Sequence, residues 1–339
     1  MTLPDGIAIT GIGSVSPFGP QQGPLHQRER GHALVVEPFR PASVVPGLKT
    51  RRLDRLSVWS LVAASLALRD AGIEPGREDR SRCAVVLGSG LGCIETTEAF
   101  LRTVAVSGYG MADPILFPDS LDNAPASHVA RHLGFTGPNI AASCRGVSGE
   151  AALLQAASLV RTGTADLVLA MAGDTLTRPL QEWLEAAGVG FVPGEGLAAL
   201  VMEPARRASA RGAAVYATFH RGAMAGDPGA TGSSWPRDSR ALVHAIRTAL
   251  GEADPSSIQW IVSCANGSQA LDRMEAAAIR EAFADHPPAR VVAPKWILGE
   301  FDGNAALRLA VALPEVSGSG MMLGASAGGG CAALLMSAP

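Results

Sequence analysis

Charge, aromatic rings and histidine are all scarce in this sequence. Only 17% of the 339 residues are Asp, Glu, Lys or Arg, 5% are aromatic and seven are histidine. Soluble chains usually carry ~25% charged residues, so the deficit points to surface covered by a partner subunit. A net charge of −3 lacks the basic excess of a general nucleic-acid binder. No run of roughly 18 uncharged apolar residues is present, so no membrane span is expected. Met1-Thr-Leu-Pro-Asp5 has neither a basic nor a long apolar segment, and no secretory signal is expected. The five cysteines (Cys83, Cys93, Cys144, Cys264 and Cys331) are scattered without C-x-x-C spacing. They read as reduced thiols in a cytoplasmic setting, not as a disulfide framework or zinc site. Each is by default a small core residue. No metal and no cofactor are expected. Hydrophobic residues at 47% and 39 glycines exclude a disordered chain.

The abundant residues alternate between strand and helix patterns. Apolar runs at Ile7–Gly13, Cys83–Gly88, Leu167–Ala172, Gly196–Glu203, Val215–Arg221, Trp260–Ser263 and Val291–Ala293 read as strands. Two more short strands flank Gly328-Gly-Gly330. Asp54–Ala71, Leu121–Leu133, Ser239–Gly251, Asp272–Ala284 and Asn304–Leu313 read as helices. Val147–Arg161 is a further helix, alanine-rich and almost uncharged, so burial on all sides is expected. This order predicts an α/β fold with a mainly parallel sheet covered on both faces. The charged segment Glu203–Gly212 is the expected seam between two similar halves, residues 1–203 and 204–339. Residues 20–52 and 222–238 read as loops.

These segments carry a family resemblance. Ile9-Thr-Gly-Ile-Gly-Ser-Val-Ser-Pro-Phe-Gly19, Arg51-Arg-Leu-Asp-Arg55, Val85-Val-Leu-Gly-Ser-Gly90, Gly137-Pro-Asn139 and Gly163-Thr-Ala-Asp166 follow in order, then Phe191-Val-Pro-Gly-Glu-Gly196, Ala293-Pro-Lys295 and Ser326-Ala-Gly-Gly-Gly330. Each piece is weak alone. Together, across nearly the whole chain, the sequence resembles the β-ketoacyl synthases. The resemblance implies a thiolase-like five-layer αβαβα sandwich of two related halves, normally an obligate dimer. The chain is shorter than usual, and the family segment before Gly190 is missing.

Condensing enzymes carry the acyl chain on a cysteine thiolate at a helix N-terminus, with backbone amides holding the oxyanion. In the family that cysteine lies at a fixed distance after Gly-Pro-Asn, and counting from Asn139 reaches Gly146. The first family histidine follows a strand, where this chain has Asn266, with Cys264 as the other match. The second lies five residues beyond the family lysine, and that place is Glu300; Lys295 itself is retained. Beyond His244 the only histidine is His286, in a loop motif. A conventional Cys-His-His centre cannot be assembled.

Several residues compete for attention. Cys144 is the rival nucleophile, with a core or lining thiol as the plain reading, and Ser148 reads as packing. Glu300 needs a partner if buried; Lys295 and Arg145 are the candidates, and a salt bridge stiffening an abandoned site is the leading reading. Glu195, Asp174 and Thr175 read as loop-fixing. His128 and His132 sit at i, i+4 without further ligands, so no metal site follows.

The loss of the nucleophile resembles chain length factors, the inactive halves of ketosynthase heterodimers in type II polyketide pathways. That resemblance implies an active ketosynthase partner and an acyl carrier protein bearing the chain. It places Met111, Ile115, Leu116 and Phe117 at the interface or tunnel wall, with ordinary dimer core as the equal alternative. Gly146 is expected to leave space where a side chain would project, which fits a polyene or highly reduced product. Two other functions stay open. One is a diverged acyl-transfer enzyme using Cys144 or Glu300. The other is a carrier-protein docking scaffold using Arg51, Arg52, Arg55, Arg206, Arg207 and Arg211.

Overall fold

A computed structural model describes residues 6–26 and 34–339. Met1–Asp5, and residues 27–33 of the expected 20–52 loop, lie outside the described residues. The strands are β1 (Ile7–Ser16), β2 (Gly19–Gln22), β3 (Cys83–Gly88), β4 (Asn139–Ala142), β5 (Leu167–Asp174), β6 (Gly196–Pro204), β7 (Ala217–Gly226), β8 (Trp260–Val262), β9 (Arg290–Val292), β10 (Gly318–Ala325) and β11 (Gly330–Ala338). The longer helices are α1 (Arg55–Asp70), α2 (Ile94–Ser107), α3 (Ala124–Leu133), α4 (Ser148–Arg161), α5 (Arg178–Ala187), α6 (Arg240–Leu250), α7 (Gln269–Ala282) and α8 (Ala305–Ala312).

The strands run in the order β4-β3-β5-β6-β1-β7-β11-β10-β8-β9, with β2 paired to β1. The order is a topological repeat. β1, β3, β4, β5 and β6 build one half, and β7, β8, β9, β10 and β11 occupy the same places in the other. The halves join where Ile7–Ile9 pair with Ala217–Phe219. Helices α4 and α8 pack between the halves. Helices α1 and α3 cover the outer face of the first half, and α6 and α7 that of the second.

Side-chain alternation creates this layering. On β3, Ala84 and Val86 face the central helices, whereas Cys83, Val85 and Leu87 face the outer ones. On β10 and β11, Met322, Leu334 and Met336 point centrally, and Met321, Leu323, Cys331 and Leu335 point outward. Both faces are dry, so the strands read as unbroken apolar runs.

That burial hides strand direction, and the sheet is mixed, not mainly parallel. β3, β4 and β5 are parallel, as are β8, β9 and β10. The β5–β6, β6–β1, β1–β7, β7–β11 and β11–β10 pairs are antiparallel. Two-sided burial selects the same residues either way. Helices α2 and α5 and the short edge strand β4 are not among the elements expected from the sequence, although α5 has a Thr177 N-cap, Pro179 in its first turn and Gly188 at its end. Helix α3 starts at Ala124, with Pro125 in its first turn, instead of Leu121. Helix α4 is not enclosed all round, because Gln155, Ser158 and Arg161 reach solvent.

Candidate functional site

Asn266, Lys295, Glu300 and Gly146 lie around the central helices. Lys295 opens the short helical turn Lys295–Leu298, which follows β9. Glu300 follows that turn, and the chain then enters α8. Lys295 is 4% exposed and Glu300 8%. Lys295 Nζ meets Glu300 Oε2 at 2.7 Å. Asn266 Nδ2 donates to the same oxygen at 2.6 Å, and Asn304 Nδ2 donates to Oε1 at 3.0 Å. The two positions matched to the family histidines therefore bond directly to each other. The Glu300 carboxylate is compensated on both oxygens, as a buried charge requires.

The backbone around Glu300 is pinned too. Glu300 N donates to Val192 O, and Gly194 N donates to Glu300 O. A Cβ at Gly194 would lie 2.1 Å from Leu298 O, so this close approach needs glycine. Glu195 accepts from Val36 N, Leu176 N and Arg55, which fixes the same loop from its other side. Arg145, the second partner expected for Glu300, bonds to the carbonyl of Gly232 instead. Its direction follows from a left-handed φ of 51° that turns it away.

Polar side chains continue inward. Asn304 Oδ1 accepts from Arg308, whose guanidinium meets Glu150 Oε1 at 2.8 Å. Arg308 also donates to the carbonyls of Val262, Ser263 and Leu323. Both Arg308 and Glu150 are completely buried, on α8 and α4 respectively. Burial pushes Glu150 up from its ordinary value, against the pull of Arg308. A Cβ at Gly324 would lie 2.5 Å from Glu150 Oε1, so that glycine makes room for the carboxylate. Residues 150, 304 and 308 were absent from the sequence-based candidates. Their one signal is a lone Glu and a lone Arg inside two otherwise apolar helices.

Asp302 and Asp174 form a second acidic pair. Asp174 accepts from Ser89 Oγ and from the amides of Gly90, Leu91 and Gly303. It fixes those loops, as expected. Burial, and then the charge of Asp302, push it up to about 7. Burial, and then the charge of Glu300, raise Asp302 to about 6.

Gly146 occupies a tight turn, Arg145–Val147, just before α4. It does not leave a vacancy. A Cβ here would meet Ser326 Cα at 3.1 Å, Ala325 O at 3.2 Å and Ser326 Cβ at 3.3 Å, because the turn between β10 and β11 packs onto it. Its amide, the group that would hold an oxyanion, donates to Ser326 Oγ at 3.0 Å. Cys144 is exposed, not a core thiol, and its amide donates to Ser148 Oγ. Cys264 is fully buried and its thiol is pushed well above the ordinary value by burial, then by Glu275. Such a thiol is not a nucleophile.

The interface candidates lie on the surface. Met111, Ile115 and Phe117 are 64%, 65% and 51% exposed; Leu116 is half-buried. Phe117 packs on Phe100 at 6.0 Å between ring centroids. Tyr109, Leu101 and Val106 add to this apolar face. Of the arginines expected to attract a carrier protein, Arg55, Arg207 and Arg211 are tied to Glu195, Glu78 and Glu203. They stitch loops and the seam helix Ala205–Ala210 to the core. His128 bonds to Asp119 and Arg131. Among the described residues no cluster suits a metal ion, and no helix is long and apolar enough to cross a membrane.

Comparison with known proteins identifies the family and the fold. The β-ketoacyl synthase N-terminal domain model matches residues 25–184, and the C-terminal domain model residues 216–313. Putative polyketide beta-ketoacyl synthase 1 of Streptomyces halstedii is 32% identical over 266 residues, covering 70% of this chain and 63% of the relative. The ishigamide ketosynthase/chain length factor has a TM-score of 0.86 at 20% identity, over 99% of both chains. A chain from AntDE:AntF, a type II PKS acyl-carrier protein in complex with its ketosynthase, has a TM-score of 0.83 at 19% identity, over 99% of this chain and 100% of that one. At those identities the two structures establish the fold.

Proposed function

The chain belongs to the β-ketoacyl synthase family, and from that premise we propose that it is a catalytically silent, chain-length-factor-like subunit. It pairs with an active ketosynthase and shapes the tunnel in which a polyketide or polyene chain grows on an acyl carrier protein. One observation carries this reading: the three positions that do the family's chemistry are Gly146, Asn266 and Glu300, and internal bonds occupy all three. No thiol stands at the helix start. The amide that would receive an oxyanion is bonded to Ser326. The carboxylate at the second histidine position is paired with Lys295 and bonded to Asn266 and Asn304.

The exposed apolar face supports the pairing. Met111, Ile115 and Phe117 stand beside Tyr109 in a region that a lone soluble chain would keep polar. With Leu116 they form the wall facing the partner's acyl chain. The wall sets chain length sterically, and burial of apolar chain stabilises the intermediates that fit. The ishigamide ketosynthase/chain length factor and a chain from AntDE:AntF, an acyl-carrier protein in complex with its ketosynthase, share this fold.

Co-expression with a Cys-His-His ketosynthase encoded beside this chain tests the proposal. A stable 1:1 complex with condensing activity is expected. A stable homodimer that ignores the partner refutes the pairing. Intact-mass measurement after exposure to acyl thioesters should find no adduct, and an acyl group on Cys144 refutes the silence.

A further inference from the structure

A cavity lies away from the Lys295–Glu300 network. It is a cleft of about 730 Å³ where the two halves join, lined at its apolar floor by Ile7, Val160, Phe219, Leu250 and Leu335. It lies at the C-terminal end of α4, whereas Gly146 precedes the N-terminal end of that helix. The cleft shares no lining residue with the Lys295–Glu300 network. Its size falls within the roughly 300–1,000 Å³ of pockets that bury small ligands.

The rim is cationic. Among the described residues Arg161 and Arg221 line it against one acid, Glu252, and Arg206, which has an interaction of its own, completes the rim. Arg161 donates to His220 O at 2.7 Å and stays exposed. Arg221 is also exposed, with its Nη1 close against Gly251. His220 is part of the wall. Its Nε2 bonds to Ser337 Oγ at 2.8 Å. Burial lowers its proton affinity, so the ring adds no charge to the rim. An apolar floor and exposed guanidinium groups describe complementarity to one chemical class.

We propose that this cleft binds a free aliphatic carboxylate, with the hydrocarbon chain along Ile7, Phe219, Leu250 and Leu335 and the carboxylate at Arg161 and Arg221. The apolar floor rewards a chain rather than a polar anion. The guanidinium rim rewards a carboxylate rather than an alcohol of the same length. The site is independent of the catalytic reading, because it needs neither Gly146 nor a partner subunit.

Titration calorimetry of the full chain with dodecanoate tests it, with dodecanol and acetate as controls. Dodecanoate is expected to bind at least tenfold tighter than either control. Arg221→Glu should weaken dodecanoate at least tenfold and leave dodecanol unchanged, and Arg221→Lys should recover most of the loss. Ala253→Trp, which fills the mouth of the cleft, should abolish binding of both long chains. The proposal is overturned if the wild-type chain fails to bind dodecanoate. It is equally overturned if Arg221→Glu and Ala253→Trp, both folded by circular dichroism, bind as the wild type does.

Discussion

Removing Arg308 leaves a carboxylate stranded in the centre of the molecule. Arg308→Met keeps the length of the side chain but deletes the charge that faces Glu150 at 2.8 Å. Both groups are completely buried, so water cannot replace the lost partner. Breaking one side of such a pair costs about 3–5 kcal/mol. Unfolding entropy of ~2.1 cal/mol/K per residue amounts to roughly 0.7 kcal/mol per degree for a chain this long, so Tm should fall by about 4–7 °C. Removing Glu150 as well, in Arg308→Met/Glu150→Leu, takes away the stranded charge. The double variant should recover at least about 2 kcal/mol relative to the sum of the single losses. It stays below wild type, because the carbonyls of Val262, Ser263 and Leu323 lose a donor. The pH dependence has a definite sign. Glu150 is already raised in the folded state, and without Arg308 it rises further. The folded chain then retains a proton that the unfolded chain has released, so stability falls as pH rises above the unfolded value. The Arg308→Met penalty should be largest near about pH 8 and shrink toward about pH 5. Urea unfolding of the two single variants and the double variant at both pH values measures this. Additive losses, or a penalty that does not change with pH, would refute the coupling.

Asp302 gives a second pH effect. Its folded value of about 6 against an ordinary 3.8 means that stability is lost as pH rises through that window. Asp302→Asn should therefore gain up to about 3 kcal/mol near about pH 8 and almost nothing near about pH 4; a differential scanning fluorimetry series that shows equal gains at both ends contradicts the assignment. Gly146→Cys should cost about 1–3 kcal/mol, since its Cβ sits 3.1 Å from Ser326 Cα, and mass spectrometry should find it unacylated. Met111→Asp/Phe117→Asp should leave the isolated chain within about 0.5 kcal/mol of wild type, yet prevent co-purification with the ketosynthase; unchanged complex formation would remove these residues from the interface.

Much of the candidate site could be read before the structure. Glu195 and Asp174 were legible as loop-fixing carboxylates, because Glu195 lies between two glycines just before a strand and Asp174 ends a strand after Gly173. Glu300 was legible from its spacing after Lys295, with Lys295 as one of its two candidate partners. Arg145 misled because it is adjacent in sequence to Gly146, whereas its backbone φ of 51° sends the side chain elsewhere. Cys144 departs from the general default of free cysteines as core residues, because the chain there leaves the edge strand β4 and the thiol is exposed.

The sequence by itself determined the order of the core strands and of most helices, the two-sided burial, and that Gly146, Asn266 and Glu300 stand at the positions matched to the family's cysteine and histidines. These are statements about which residue types occur at which spacing, and periodicity reports them directly. Strand direction, the filled space at Gly146 and the chain of bonds from Lys295 to Glu150 were decided by tertiary structure. Two-sided burial produces the same apolar run in either direction. The hydrogen bonds involved join residues up to 180 positions apart, Gly146 to Ser326 being the longest. No local pattern encodes such a distance; packing of the two halves on α4 and α8 brings it about.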